Sequence, residues 1–120
     1  MSYDERKFSA LSERIIGCAF TVSNALGMGF LERVYERALV HEMQKQGLAV
    51  RRQHPVVVKH DGVVVGDYVL DVLVEDSIVV ELKHVRAFDD VHIAQCLNYL
   101  RAANLHLCLL LNFGKPRIDV

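Results

Sequence analysis

Residues 56–65, VVVKHDGVVV, hold an Asp61-Gly62 pair between two valine triplets. The branched Cβ of valine suits a half-buried extended strand, and Asp-Gly readily takes the left-handed conformations of a two-residue hairpin turn. This stretch commits the centre of the chain to an antiparallel strand pair. The apolar pattern runs on through VLDVLV (69–74), breaks at Glu75-Asp76-Ser77 and resumes as IVVELKHV (78–85). A further strand after a short turn is therefore expected.

Helical patterns flank the β-rich centre. In LSERIIGCAFTVSNAL (11–26), Ile15, Ile16, Ala19, Phe20 and Val22 form an apolar face, with Ser12 as the expected N-cap and Gly27-Met28-Gly29 as the stop. Residues 31–46 read as a second helix ending at Gly47, with Leu31, Val34, Tyr35, Ala38 and Leu39 as its buried stripe. Residues 89–104 predict a third, capped by Asp89 or Asp90, with Ile93, Cys96, Leu97 and Leu100 toward the core. LHLCLLLNF (105–113) is a continuous apolar run before a glycine, the pattern of a buried strand. The expected order is α-α-β-β-β-β-α-β. The last strand follows a helical crossover and should lie parallel to its neighbour. This is an α/β chain with a mixed sheet packed by helices, and residues 1–120 are expected to form one domain.

Composition limits the functions available. Fourteen Lys plus Arg against 15 Asp plus Glu leave a net charge of −1, so bulk charge gives no case for nucleic-acid binding. The basic stretches at Arg51-Arg52, Lys83–Arg86 and Lys115–Arg117 read on their own as solvated surface. No apolar run reaches the roughly 18 residues of a membrane span, and MSYDERKFSA lacks a signal segment, so a cytoplasmic protein is expected. Cys18, Cys96 and Cys108 lie among apolar residues without CxxC spacing, as reduced core thiols do. The six histidines show no zinc spacing, and no Ser-His-Asp or P-loop pattern occurs.

Three charges interrupt the valine strands. Side chains alternate along a strand, so Glu81 and Lys83 share a face with Val79, while Val80, Leu82 and His84 take the other. If residues 75–77 form the loop, Val74 pairs with Ile78, and Asp71 falls opposite Glu81 with Cβ atoms about 5 Å apart. Two facing carboxylates repel, so either one keeps its proton or a cation holds them together. Lys83 lies about 7 Å along the same face. Oxygen ligands so placed suit Mg²⁺, which binds through one or two carboxylates plus phosphate. The alternative is a wet sheet face carrying a Glu-Lys ion pair. Glu32, Tyr35 and Leu39 stack on one helix face, and a first-turn glutamate also suits the helix dipole. His92, Gln95 and Tyr99 stack likewise on the third helix, as site residues or as a core-edge pair.

GFLERVY carries Gly29, Glu32 and Tyr35 in a Gly-x-x-Glu-x-x-Tyr pattern, and LDVLVEDSIVVELK resembles the Asp…Glu-x-Lys core of the PD-(D/E)XK nuclease superfamily. With AQCLNYL and LLLNFG following in order, residues 11–114 resemble the GxxExxY family of that superfamily. The resemblance implies a restriction-endonuclease-like fold, a mixed β-sheet flanked by helices. It implies Asp71 and Glu81 as the main Mg²⁺ ligands, with Glu32 as a third acid and Mn²⁺ as a substitute ion. It further implies Lys83 beside the attacking water and the phosphate, and Gln95 as a polar site residue. Leu70 stands where the superfamily's name has proline.

The expected function is thus Mg²⁺-dependent hydrolysis of phosphodiester bonds in nucleic acid, with DNA as the substrate. A symmetric homodimer would serve to cut both strands. The alternatives are a non-catalytic module of the same fold that binds nucleic acid or protein, and a hydrolase for another phosphate ester.

Overall fold

The Asp61-Gly62 turn forms with φ of 52° and 77°, both left-handed, as a type I′ hairpin requires. It joins β1 (Val50–His60) to β2 (Val63–Val74). The computed structural model describes residues 3–120, with side chains from residue 5 onward. Before the hairpin lie α1 (Tyr3–Leu26) and α2 (Glu32–Lys45); after it come β3 (Ile78–Lys83), α3 (Asp90–Ala103) and β4 (Leu107–Asn112). The strands form one sheet in the order β1-β2-β3-β4. The first three are antiparallel, and β4 runs parallel to β3. This is an α/β fold with a mixed sheet flanked by helices.

Between α2 and α3 the described residues form three strands, not four. VVVGDYVLDVLV stays one long strand because Gly66 is accommodated in the ladder opposite Val58. The register shifts only beyond that pair, between Val58 and Lys59. A second difference lies in α1, which starts at Tyr3. Ser12 is no cap; its hydroxyl donates to the carbonyl of Phe8, one turn back (2.7 Å). Phe8, Leu11, Ile15, Cys18 and Val22 continue one stripe at helical spacing, which is why the helix extends to the earlier residues.

Two apolar layers enclose the sheet. Ile15, Ala19 and Val22 of α1 and Tyr35, Leu39 and Met43 of α2 pack on Val72, Val74, Ile78, Val80 and Leu82. Each fully buried side chain of this size contributes about 1.5–3 kcal/mol relative to exposure. On the other face Tyr99 of α3 packs with Leu70, Leu73 and Val79. Several expected core residues are on the surface: Phe20, Leu31, Ile93 and Leu97 are all exposed. On α3 the buried residues are Cys96 and Tyr99. The helix is rotated so that polar Gln95, rather than Ile93, approaches the strands. Asp89 caps it as expected, accepting from the amides of Val91 and His92.

Candidate active site

The Glu75-Asp76-Ser77 loop places Val74 opposite Ile78, and the β2–β3 ladder continues through Leu73↔Val79 to Val72↔Val80. One more step brings Asp71 level with Glu81, and there the ladder stops. Side chains replace the missing backbone bonds. The Asp71 amide donates to Glu81 Oε1 (3.0 Å), and the Leu82 amide donates to Asp71 Oδ2 (2.9 Å). Each carboxylate thus caps the opposite strand where the two strands part.

Asp71 interrupts the sheet on its other side too. β1 pairs Arg52 with Val72 and His54 with Leu70, passing over Gln53. Gln53 has φ of 50°, a left-handed conformation costing about 1–2 kcal/mol for a residue with a side chain. Neighbouring strand residues ordinarily face opposite ways. Here Arg52 Nε and Gln53 Nε2 both reach buried Glu36 of α2, at 3.1 Å each. The alternation slips on β2 as well: Leu70 joins the α3 layer, whereas Val72 packs with α1 and α2. Strain of this kind collects where side chains must be aimed rather than merely packed. Glu36 and Gln53 were not apparent in the sequence, since a left-handed strand residue leaves no signal there.

Burial, and then the adjacent Asp71 carboxylate, push the Glu81 carboxyl up to about 9. Glu32, the first residue of α2, is also held above the usual carboxylate range, first by lost hydration and next by Asp71, with Lys83 acting the other way. Lys83 donates to Gln95 Oε1 (2.9 Å), and Gln95 Nε2 donates to the Tyr99 hydroxyl (2.9 Å). The polar face of α3 therefore holds the ammonium group. His92, the third member of that stack, is instead occupied at the N-terminus of α3, where its Nδ1 accepts the Asp89 amide.

The structure brings Asp71 into contact with Glu81 and joins Lys83 to Gln95, with Glu32 within electrostatic reach of Asp71 and Lys83. Among the described residues, no three His, Cys, Asp or Glu side chains are grouped so as to hold a metal ion. Asp71 and Glu81 each turn one oxygen onto a backbone amide of the opposite strand. The pair still fits a hard divalent cation, since Mg²⁺ needs only one or two carboxylates and keeps waters elsewhere. A buried carboxyl beside a second one also gains most from a cation.

Tyr35 explains part of the GFLERVY segment. Its ring is fully buried and stacks on Phe113 at 4.9 Å. Its hydroxyl donates to the Gly27 carbonyl (2.6 Å) and accepts from the Phe30 amide (3.2 Å), fixing the turn that presents Glu32. Gly29 has φ of 107° in that turn, which glycine tolerates and other residues do not. Tyr35→Phe is expected to lower stability by about 0.5–1.5 kcal/mol, because the two hydrogen bonds that tie the Gly27 carbonyl and the Phe30 amide to this buried ring are lost. Urea unfolding measures the loss; an unchanged midpoint would remove the hydroxyl's role.

The mixed four-stranded sheet flanked by helices belongs to the restriction-endonuclease-like class of folds. The family model of the PD-(D/E)XK nuclease superfamily matches residues 9–120, and the chain belongs to that superfamily. Nucleases of this superfamily typically use divalent metal ions. Neither the curated proteins nor the solved structures give a significant match. Among the described residues, no helix is long and apolar enough to cross a membrane.

Proposed function

We propose that the protein is a Mg²⁺-dependent nuclease of the GxxExxY kind that hydrolyses phosphodiester bonds in DNA. The observation carrying this reading is the interlock of Asp71 and Glu81 beside the Lys83–Gln95 pair. Asp71 and Glu81 would hold the ion, with Glu32 as a third ligand, and Mn²⁺ would substitute for Mg²⁺. A divalent ion held there supplies charge neutralisation at phosphorus and acidifies water. Lys83, oriented by Gln95, stabilises the charge that develops on the phosphate as water attacks and the P–O bond breaks. Leu70, standing where the superfamily's name has proline, is fully buried in the α3 layer and takes a packing role.

Purified protein incubated with plasmid and Mg²⁺ is expected to nick it. Lys83→Ala should slow cleavage at least about 100-fold, as loss of a preorganised electrostatic group does. Asp71→Ala should reduce it to background. Equal rates in both variants and the wild type discard the site.

A second reading, a non-catalytic interaction module, draws on the exposed hairpin valines Val63, Val64 and Val65. Calorimetry with Mg²⁺ or Mn²⁺ separates the two. A folded protein that takes up no ion at millimolar concentration favours the module.

A further inference from the structure

A groove of about 590 Å³ lies between the β1–β2 hairpin and α3, with Lys59 and Tyr68 on the hairpin side and Asn98 and Arg101 on the helix side. Its charged lining is entirely positive. Among the described residues, neither Lys59 nor Arg101 forms a salt bridge. Such cations are available to an anionic partner without first breaking a protein contact. Tyr68 is 45% exposed, so part of its side chain is open to a ligand. Valines of β1, including Val57 and Val58, supply the apolar remainder.

The groove adjoins the candidate active site through a short series of contacts. The Tyr68 and Tyr99 rings lie 5.6 Å apart. The Tyr99 hydroxyl accepts from Gln95, which in turn accepts from Lys83. The acid pair repels polyanions, whereas the adjacent groove attracts them.

We propose that this groove binds an unpaired polynucleotide strand and leads it toward Asp71, Glu81 and Lys83. Cations that follow phosphates, combined with an aromatic ring on which a base stacks, are the means by which proteins hold single strands. In a duplex the base faces are already stacked on their neighbours and cannot reach Tyr68. Two cations on a chain of net charge −1 also make a poor duplex platform. An unpaired strand needs one cut, so no second copy of the chain is required. The proposal rests on the nuclease reading for its destination, but strand binding itself needs neither metal nor cleavage.

The test is fluorescence anisotropy in EDTA with labelled single-stranded DNA, single-stranded RNA and duplex DNA of one sequence. Either single strand is expected to bind more tightly than the duplex, and the tighter of the two identifies the natural strand. Tyr68→Ala should weaken binding roughly five- to hundredfold, whereas Tyr68→Phe keeps it because the ring face remains. Joint Lys59→Ala and Arg101→Ala substitution should weaken binding and reduce its logarithmic salt dependence by about 0.7 per lost phosphate contact. Lys7→Ala, on α1 outside the groove, should change nothing. These side chains are exposed, so the variants retain the fold. Three outcomes overturn the proposal: no oligonucleotide binding, preference for duplex, or groove variants that bind like the wild type. So does a dimer, seen in sedimentation, that Tyr68→Ala dissociates without altering oligonucleotide binding. Groove-dependent strand binding without Mg²⁺-dependent cleavage of that same strand supports the groove and counts against the nuclease reading alone.

Discussion

Glu81→Gln is expected to abolish Mg²⁺-dependent cleavage and, at the same time, to stabilise the metal-free protein at alkaline pH. The glutamate is 3% exposed, and burial together with Asp71 raises its carboxyl to about 9. The unfolded chain releases that proton near 4.5. Between these values the folded state binds a proton that the unfolded state does not. The associated stability is complete below the lower value and is lost as pH rises through the upper one. The substituted amide mimics the protonated acid in shape and removes the titration. Its carbonyl can still accept the Asp71 amide. Thermal melts in EDTA at pH 5 and pH 8.5 should therefore show a wild-type melting temperature that falls by several degrees relative to the variant. Adding Mg²⁺ at the higher pH should recover stability for the wild type, by roughly 1–3 kcal/mol at ten to one hundred times Kd, and much less for the variant. Cleavage by the variant should drop about a thousandfold or more, as expected for loss of a metal-holding carboxylate. Parallel pH dependences would show that Glu81 is not held protonated. Undiminished cleavage would remove it from the site.

Gly114→Ala is expected to cost about 3 kcal/mol or more, from a position that touches none of the acids. A Cβ there would lie 2.8 Å from the Val85 nitrogen, 2.9 Å from the His84 carbonyl carbon and 3.0 Å from the Val85 oxygen. All three are backbone atoms, so no flexible side chain can give way. Nor can Gly114 withdraw easily. Buried Asn112 accepts the amides of Val85 (3.1 Å) and Gly114 (2.9 Å) and donates to the Val85 carbonyl (2.7 Å). The Phe113 amide donates to the Lys83 carbonyl (2.9 Å). These bonds tie the end of β4 to the chain leaving β3, immediately after Lys83. Displacing Gly114 therefore strains the backbone that positions the ammonium. Urea denaturation should place the variant's midpoint far below wild type, and a thermal melt should drop by roughly ten degrees. Asn112→Ala is expected to lose about 1–3 kcal/mol, because the Val85 amide is left without its partner. A Gly114→Ala protein that melts with the wild type would show that the close approach is easily relieved.

The local signals that carried through share one property: their cause lies within a few residues. Asp61-Gly62 needed only its own backbone preference, and Asp89 capped α3 from its own position. The facing of Asp71 and Glu81 followed from a loop length and a period of two, and the ladder reaches the adjacent pair in that register. The division of Val79 from Val80 and Leu82 between the two layers followed from the same period. Where the reading failed, distant packing was the cause. Ile93 and Leu97 are apolar at helical spacing, yet the approach of α3 to the sheet turned Gln95 and Tyr99 inward instead. Ser12 has the chemistry of a cap, but the stripe through Phe8 draws the helix past it.

The sequence alone determined the hairpin, the crossover to a parallel last strand and the placing of two acids and a lysine along one edge of the central strands, because turn preference and side-chain alternation are local. Only the tertiary structure decided that the ladder parts at Asp71, that Gln53 is bent to meet Glu36, and that Gln95 rather than an apolar neighbour holds Lys83. These depend on how helices dock across the sheet. A chain's own periodicity says which faces are apolar, but docking decides which of them is covered and which polar groups are carried along with it.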